Sequence, residues 1–135
     1  MSTQIFVNLP IKNLDKTVAF FTHLGFTFNP DFTDEKATCM IIGENIFAML
    51  IVEEYFKTFT NKPISDATKS TEVILALSSE SREKVDELIN KAIEAGGTSP
   101  MATQDHGWMY GRGFTDIDGH MWETVYMDPN GYPQA

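Results

Sequence analysis

The sequence predicts an α+β protein made of two modules that share one element order: strand, helix, then three strands. Three observations carry this. Apolar residues alternate over short runs and then recur at helical spacing, in the same order in each half. Each helical stretch has a Ser or Asn where a cap belongs and glycine where it should stop. The length, 135 residues at 42% hydrophobic, gives one compact domain its core and is short for two ordinary ones.

The first module is expected over residues 1–52. Residues 5–11 form a strand with Ile5, Val7 and Leu9 on one side and Phe6 and Asn8 on the other, and Pro10 should end it. Asn13 can cap a helix in which Leu14, Val18, Phe21 and Leu24 recur, closed by Gly25, and that helix should cover the Ile5, Val7 and Leu9 side. Three strands follow at residues 26–28, 37–42 and 46–52, the last two joined by a reverse turn at Gly43, Glu44 and Asn45.

The second module is expected over residues 71–127. A strand at 71–77 leads to Ser79 or Ser81 as cap of a helix with Val85, Leu88, Ile89 and Ala92 on one face, stopped by Gly96 and Gly97. Short strands follow near 98–102 and 108–115, then a turn at 116–119 and a last strand at 120–127. Between the modules, residues 53–70 read as a polar linker that starts with a short helix at 53–57, and residues 128–135 as a loose tail.

Composition excludes several function classes. A net charge of -9 repels polyphosphate backbones, and no cluster of Lys and Arg interleaves with aromatics, so nucleic acid is not an expected partner. No apolar run approaches the roughly 20 residues that cross a bilayer, and the first residues lack a signal peptide's segments, so no membrane partner and a cytoplasmic location are expected. The single cysteine, Cys39, lies in an apolar stretch and reads as core; alone it makes neither an intramolecular disulfide nor a Cys-based zinc site.

Two motifs add a family resemblance that spans nearly the whole chain. The run from Asn13 through Leu24-Gly25-Phe26 resembles the first helix of the vicinal-oxygen-chelate superfamily, and Phe114 through Asp116-Ile117-Asp118-Gly119-His120 to Glu123 is similar to its last hairpin. That superfamily includes glyoxalase I, extradiol dioxygenases, and fosfomycin- and bleomycin-resistance proteins. The resemblance implies two βαβββ modules forming a curled mixed sheet around a cleft, with helices on the outer face. It also implies a homodimer.

Metal-dependent members of the superfamily place a His or Glu on the first and last strands of each half. The corresponding positions are Phe6, Leu50, Ile74 and Glu123, with a register uncertainty of one or two residues at Leu50 and Ile74, and only Glu123 offers a donor to a divalent ion. No metal or other cofactor is therefore expected, although Glu72 or Asn8 could be recruited. Of the histidines, His23 reads as helix surface, His120 as a turn-stabilising residue, and His106 as a loop residue within reach of a ligand.

The remaining candidate site residues follow from alternation. If Glu123 faces the cleft, Met121 stands beside it while Trp122 and His120 turn away. Glu123 is then a general base, a contact for a cationic ligand, or a buried structural acid paired with Arg112. Trp108, Tyr110, Arg112 and Phe114 share one side of their strand, a surface for a planar or anionic ligand or an ordinary core or dimer contact, and Met109, Gly111 and Gly113 share the other. Met40, Met49, Met101, Met109 and Met121 are a pliable lining or core filling. The reading these favour is a metal-free protein, like the bleomycin-resistance branch, that binds an aromatic or cationic small molecule. The alternatives are a lyase- or isomerase-like enzyme using Glu123, and a dimer with no small ligand; glyoxalase I activity is disfavoured by the incomplete metal set.

Overall fold

The computed structural model describes residues 2–131. It comprises two compact units, residues 1–65 and 66–135, and each holds one strand–helix–three-strand module.

In the first unit, β1 (Ile5–Ile11), α1 (Leu14–Leu24), β2 (Thr27–Asn29), β3 (Ala37–Gly43) and β4 (Ile46–Val52) follow one another, and a short helix α2 (Glu53–Phe56) opens the segment expected as linker. The sheet order is β1-β4-β3-β2, parallel only between β1 and β4. Asn13 takes an extended conformation and its Oδ1 accepts the Lys16 N–H at 3.0 Å, which starts α1. Gly25, at φ 104°, ends it by offering its N–H to the Phe21 and Thr22 carbonyls.

Two details differ from the sequence reading. The strand runs through Pro10 to Ile11, because β1 is the edge of its sheet and a missing N–H costs no ladder bond on the open side. The core then shifts toward the strand's end: Leu9 and Ile11 are buried and Ile5 is exposed. On α1 the buried residues are Thr17, Phe20, Phe21 and Leu24, while Leu14 and Val18 stay half-buried. Phe20 and Phe21 meet edge-on at 5.0 Å, and burying both large rings turns the helix about one residue from the expected stripe.

In the second unit, β5 (Ile74–Ser78), α3 (Arg82–Glu94), β6 (Gln104–Asp105), β7 (Met109–Thr115) and β8 (Met121–Met127) repeat the permutation as β5-β8-β7-β6, again parallel only in the first pair. Ser81 caps α3 through the Lys84 N–H at 3.1 Å, and Val85, Ile89 and Ala92 are buried beneath it. The strand expected at 98–102 is reduced to a single bridge, Thr98 with Thr115, followed by the two-residue β6. Pro100, with no N–H to give, stands where a continuous ladder would need one.

The β7–β8 turn is organised by one buried carboxylate. Asp116 Oδ1 accepts the backbone N–H groups of Asp118 at 2.9 Å and His120 at 3.0 Å, and Oδ2 accepts the Trp122 indole N–H at 3.0 Å. Burial, the largest influence, pushes Asp116 above the usual carboxylate range against those bonds. Gly119 must be glycine on two counts: its φ is 89°, and a Cβ would lie 2.9 Å from the backbone of Ala67 and Thr68. After β8 the chain is less loose than the expected tail, for the Asp128 N–H reaches the Trp108 carbonyl and Asp128 caps a turn through Gly131. Tyr132 and Pro133 lie outside the described residues.

Candidate functional site

Cross-strand partners share a face of a sheet, so the registers decide where each candidate residue points. Leu9 pairs with Leu50, which is 0% exposed, and this corrects the sequence reading: Leu50 belongs to the core side under α1, and its neighbour Met49 pairs with Asn8 on the other side. Phe6, paired with Phe47 and stacked on it at 4.9 Å, shares that side and is 47% exposed.

In the second unit, Ile74 pairs with Met121, Ala76 with Glu123, and Gly113 with Glu123 from the opposite flank. These side chains occupy the face turned away from Trp122, Thr124 and Phe114, which are buried. On that face is a cavity of about 180 Å³, with Ile74, Met121, Glu123 and Val125 on one side and Met109, Gly111 and Gly113 beside them. A single water needs roughly 10–15 Å³ of such space, so a small organic molecule fits. Pro100, Met101, Ala102 and Gln104 add a wall of which the sequence reading includes only Met101, as a pliable lining residue. A two-residue strand gives no alternation to read, and nothing else in 98–105 marks it.

Glu123 is exposed and its carboxylate has no hydrogen bond or ion pair among the described residues. Two expectations are corrected here. Glu123 is not a buried acid, and Arg112 is not its partner. The Arg112 Nη1 donates to Asp86 of α3 at 3.0 Å, and the Tyr110 hydroxyl donates to the same oxygen at 2.7 Å, so both side chains serve the helix side. The Tyr110 bond first, then Arg112, holds Asp86 below the usual carboxylate range. The parity that grouped Tyr110, Arg112 and Phe114 is right; the polar groups of Tyr110 and Arg112 turn to α3, while Arg112 and Phe114 also border the cavity. Trp108 precedes β7, where its carbonyl accepts the Asp128 N–H.

His120 is 2% exposed and its Nδ1 lies 3.4 Å from Glu72 Oε1, so Glu72 is engaged on the turn and not recruited toward Ile74. His23 sits exposed in the last turn of α1. His106 is exposed, with Nε2 3.3 Å from Gln104 Oε1 at the cavity rim. A divalent ion of the kind the resemblance implies for metal-dependent members does not fit this donor set: Phe6, Leu50 or Met49, and Ile74 carry no hard donor, and among the described residues no three His, Cys, Asp or Glu side chains group together. No helix among the described residues is long and apolar enough to cross a membrane.

Residues 3–43 match the family model described as bleomycin resistance protein-like N-terminal. No curated protein sequence matches the chain. Among solved structures, a hypothetical protein from S. aureus is 29% identical, with a TM-score of 0.79 over 93% of this chain and 94% of that one. A glyoxalase/bleomycin resistance protein/dioxygenase family enzyme from Burkholderia phytofirmans is 16% identical, with a TM-score of 0.76 over 93% of this chain and 99% of that one. A genomically encoded fosfomycin resistance protein, FosX, from Listeria monocytogenes is 20% identical, with a TM-score of 0.67 over 100% of this chain and 95% of that one. The α+β architecture described above is the fold these proteins share.

Proposed function

We propose that this chain, which has the fold of the glyoxalase/bleomycin-resistance/dioxygenase proteins, is a small-molecule-binding protein whose ligand is aromatic or cationic. One observation carries the reading: Glu123, whose carboxylate has no hydrogen bond or ion pair among the described residues, lines a cavity that is otherwise mostly apolar, with Gln104 and Arg112 as its other polar residues. Apolar walls with a single anion suit a ligand with an apolar body and one positive charge. Thioethers add favourable contacts to an aromatic ring. Arg112, the one Lys or Arg that borders the cavity, donates to Asp86.

The experiment is a calorimetric titration with N-methylquinolinium and with its uncharged carbon analogue, methylnaphthalene. Glu123→Gln is expected to weaken the cation by about tenfold, the order of a lost charge contact, and to leave the neutral compound unchanged. A wild-type chain that binds neither, or a variant that binds the cation as before, contradicts the proposal.

The same free carboxylate also suits a base, so a lyase- or isomerase-like reaction is the second reading. Solvent-proton exchange on a bound carbon acid that persists in Glu123→Gln excludes it. Homodimerisation is proposed as well, supported by the exposed Ile5, Phe6 and Ile46 of the first unit. Light scattering that gives the monomer mass at every concentration would refute it.

A further inference from the structure

The wall of the cavity is held differently from its floor. The floor side chains stand on β5, β7 and β8, which are tied by continuous ladders. The wall leaves the sheet after Thr98, where the bridge to Thr115 and a 2.6 Å bond from the Ser99 hydroxyl to the Gly113 carbonyl make one foot. It returns at β6, two residues long, paired to Tyr110 and Gly111. Between the feet, residues 100–103 are exposed, and Met101 is 64% exposed. A span with so few buried contacts and ladder bonds has little of its own to fix its position.

The second foot is gripped from α3. Arg82, in the helix's first turn, donates to both carboxylate oxygens of Asp105 at 2.9 Å each and to the Gly107 carbonyl at 3.1 Å. Its guanidinium carbon lies 4.7 Å from the centre of the Tyr110 ring, and that ring is fixed in turn by its bond to Asp86. Asp105 Oδ1 also accepts the Gly107 N–H at 3.0 Å. A planar fork can serve a carboxylate and a carbonyl while stacked on a ring; an ammonium cannot. Exposed ion pairs of this kind add little to global stability, so the consequence of the grip is directional. It fixes Asp105, and with it the adjoining Gln104 at the cavity rim.

We infer that Arg82 is a positioning residue for the cavity: its hold on Asp105 and Gly107 keeps residues 100–104 in place as a closed wall, and releasing that hold opens the cavity from this side. The importance of this for binding rests on the reading of the cavity as the ligand site, and the test is therefore made without ligand. Dilute hydrogen peroxide converts accessible methionines to sulfoxides, which mass spectrometry of peptides resolves residue by residue. Met109 and Met121 share the cavity with the wall. Met127, 49% exposed, is the reference for an already open site, and Met40, 0% exposed, reports general unfolding.

In the full chain, Arg82→Ala is expected to speed oxidation of Met109 and Met121 by about fivefold or more, with Met127 and Met40 unchanged. Arg82→Lys, which keeps the charge and loses the fork, should fall between. Unaltered rates at Met109 and Met121, or a parallel rise at Met40, overturn the inference. Should Arg82→Ala fail to fold, Asp105→Asn, on an exposed carboxylate, makes the same comparison. A wild-type chain that binds no aromatic or cationic compound defeats the proposed function and leaves this result standing; an unchanged oxidation pattern with binding intact defeats this inference alone.

Discussion

Replacing Asp116 with alanine should unfold the last hairpin's organisation at a cost that can be worked from its bonds. The carboxylate satisfies three donors, the N–H groups of Asp118 and His120 and the Trp122 indole. His120 and Trp122 are 2% and 1% exposed, so two of those donors lose their partner out of reach of water, at about 1–3 kcal/mol each; the Asp118 donor is only partly buried and contributes less. Removing a buried carboxylate also relieves its own desolvation, the influence that raises Asp116 above its usual range. The net loss should be about 2–4 kcal/mol. Urea unfolding followed by tryptophan fluorescence measures it, and the slope with denaturant should not change. The pH dependence has a definite sign. With its folded-state pKa raised, Asp116 binds its proton more tightly in the folded chain. Its contribution is therefore favourable below about pH 4 and declines as pH rises through the raised value. Asp116→Asn should remove that decline. A loss under about 1 kcal/mol for Asp116→Ala, or an unchanged pH profile for Asp116→Asn, would refute the reasoning.

The corrected register of β4 gives a second expectation: Leu50→Ala should cost about 2–5 kcal/mol, and Met49→Ala distinctly less, because only Leu50 is fully enclosed; equal losses in thermal or urea unfolding would contradict the assignment. The peroxide measurement can also be run against pH. The Arg82 hydrogen bonds hold Asp105 down at about 2, so its grip should be complete above the ordinary carboxylate range and should fail only as pH falls toward that value. Met109 and Met121 rates that already rise between pH 7 and pH 4 would count against it.

The strand–helix order of both modules was legible because its signals are local. Asn13, Ser81, Gly25 and Gly96 mark helix ends wherever the chain folds, and alternation shows which residues of β1, β7 and β8 share a side. The misread positions have a common cause. The run from Ile46 to Val52 is apolar on both sides, so no polar residue shows which side is covered, and Leu50 was placed one residue off. Around Arg112 the alternation was legible, but the side covered by α3 was not, because Asp86 lies on a helix 26 residues away. Met121 and Glu123 were placed beside each other by parity alone, whereas the wall at 100–104 and its hold by Arg82 depend on contacts between distant residues that have no periodic signature.

The most direct test of the ligand site is a titration of the chain carrying carbon-13 labelled methionine methyl groups with N-methylquinolinium, read by NMR. The expected result is saturable shifts at Met101, Met109 and Met121, which border the cavity, with Met40 in the core unmoved and the response diminished in Glu123→Gln. Saturable shifts at other methionines with these three silent would place the ligand elsewhere and contradict the account.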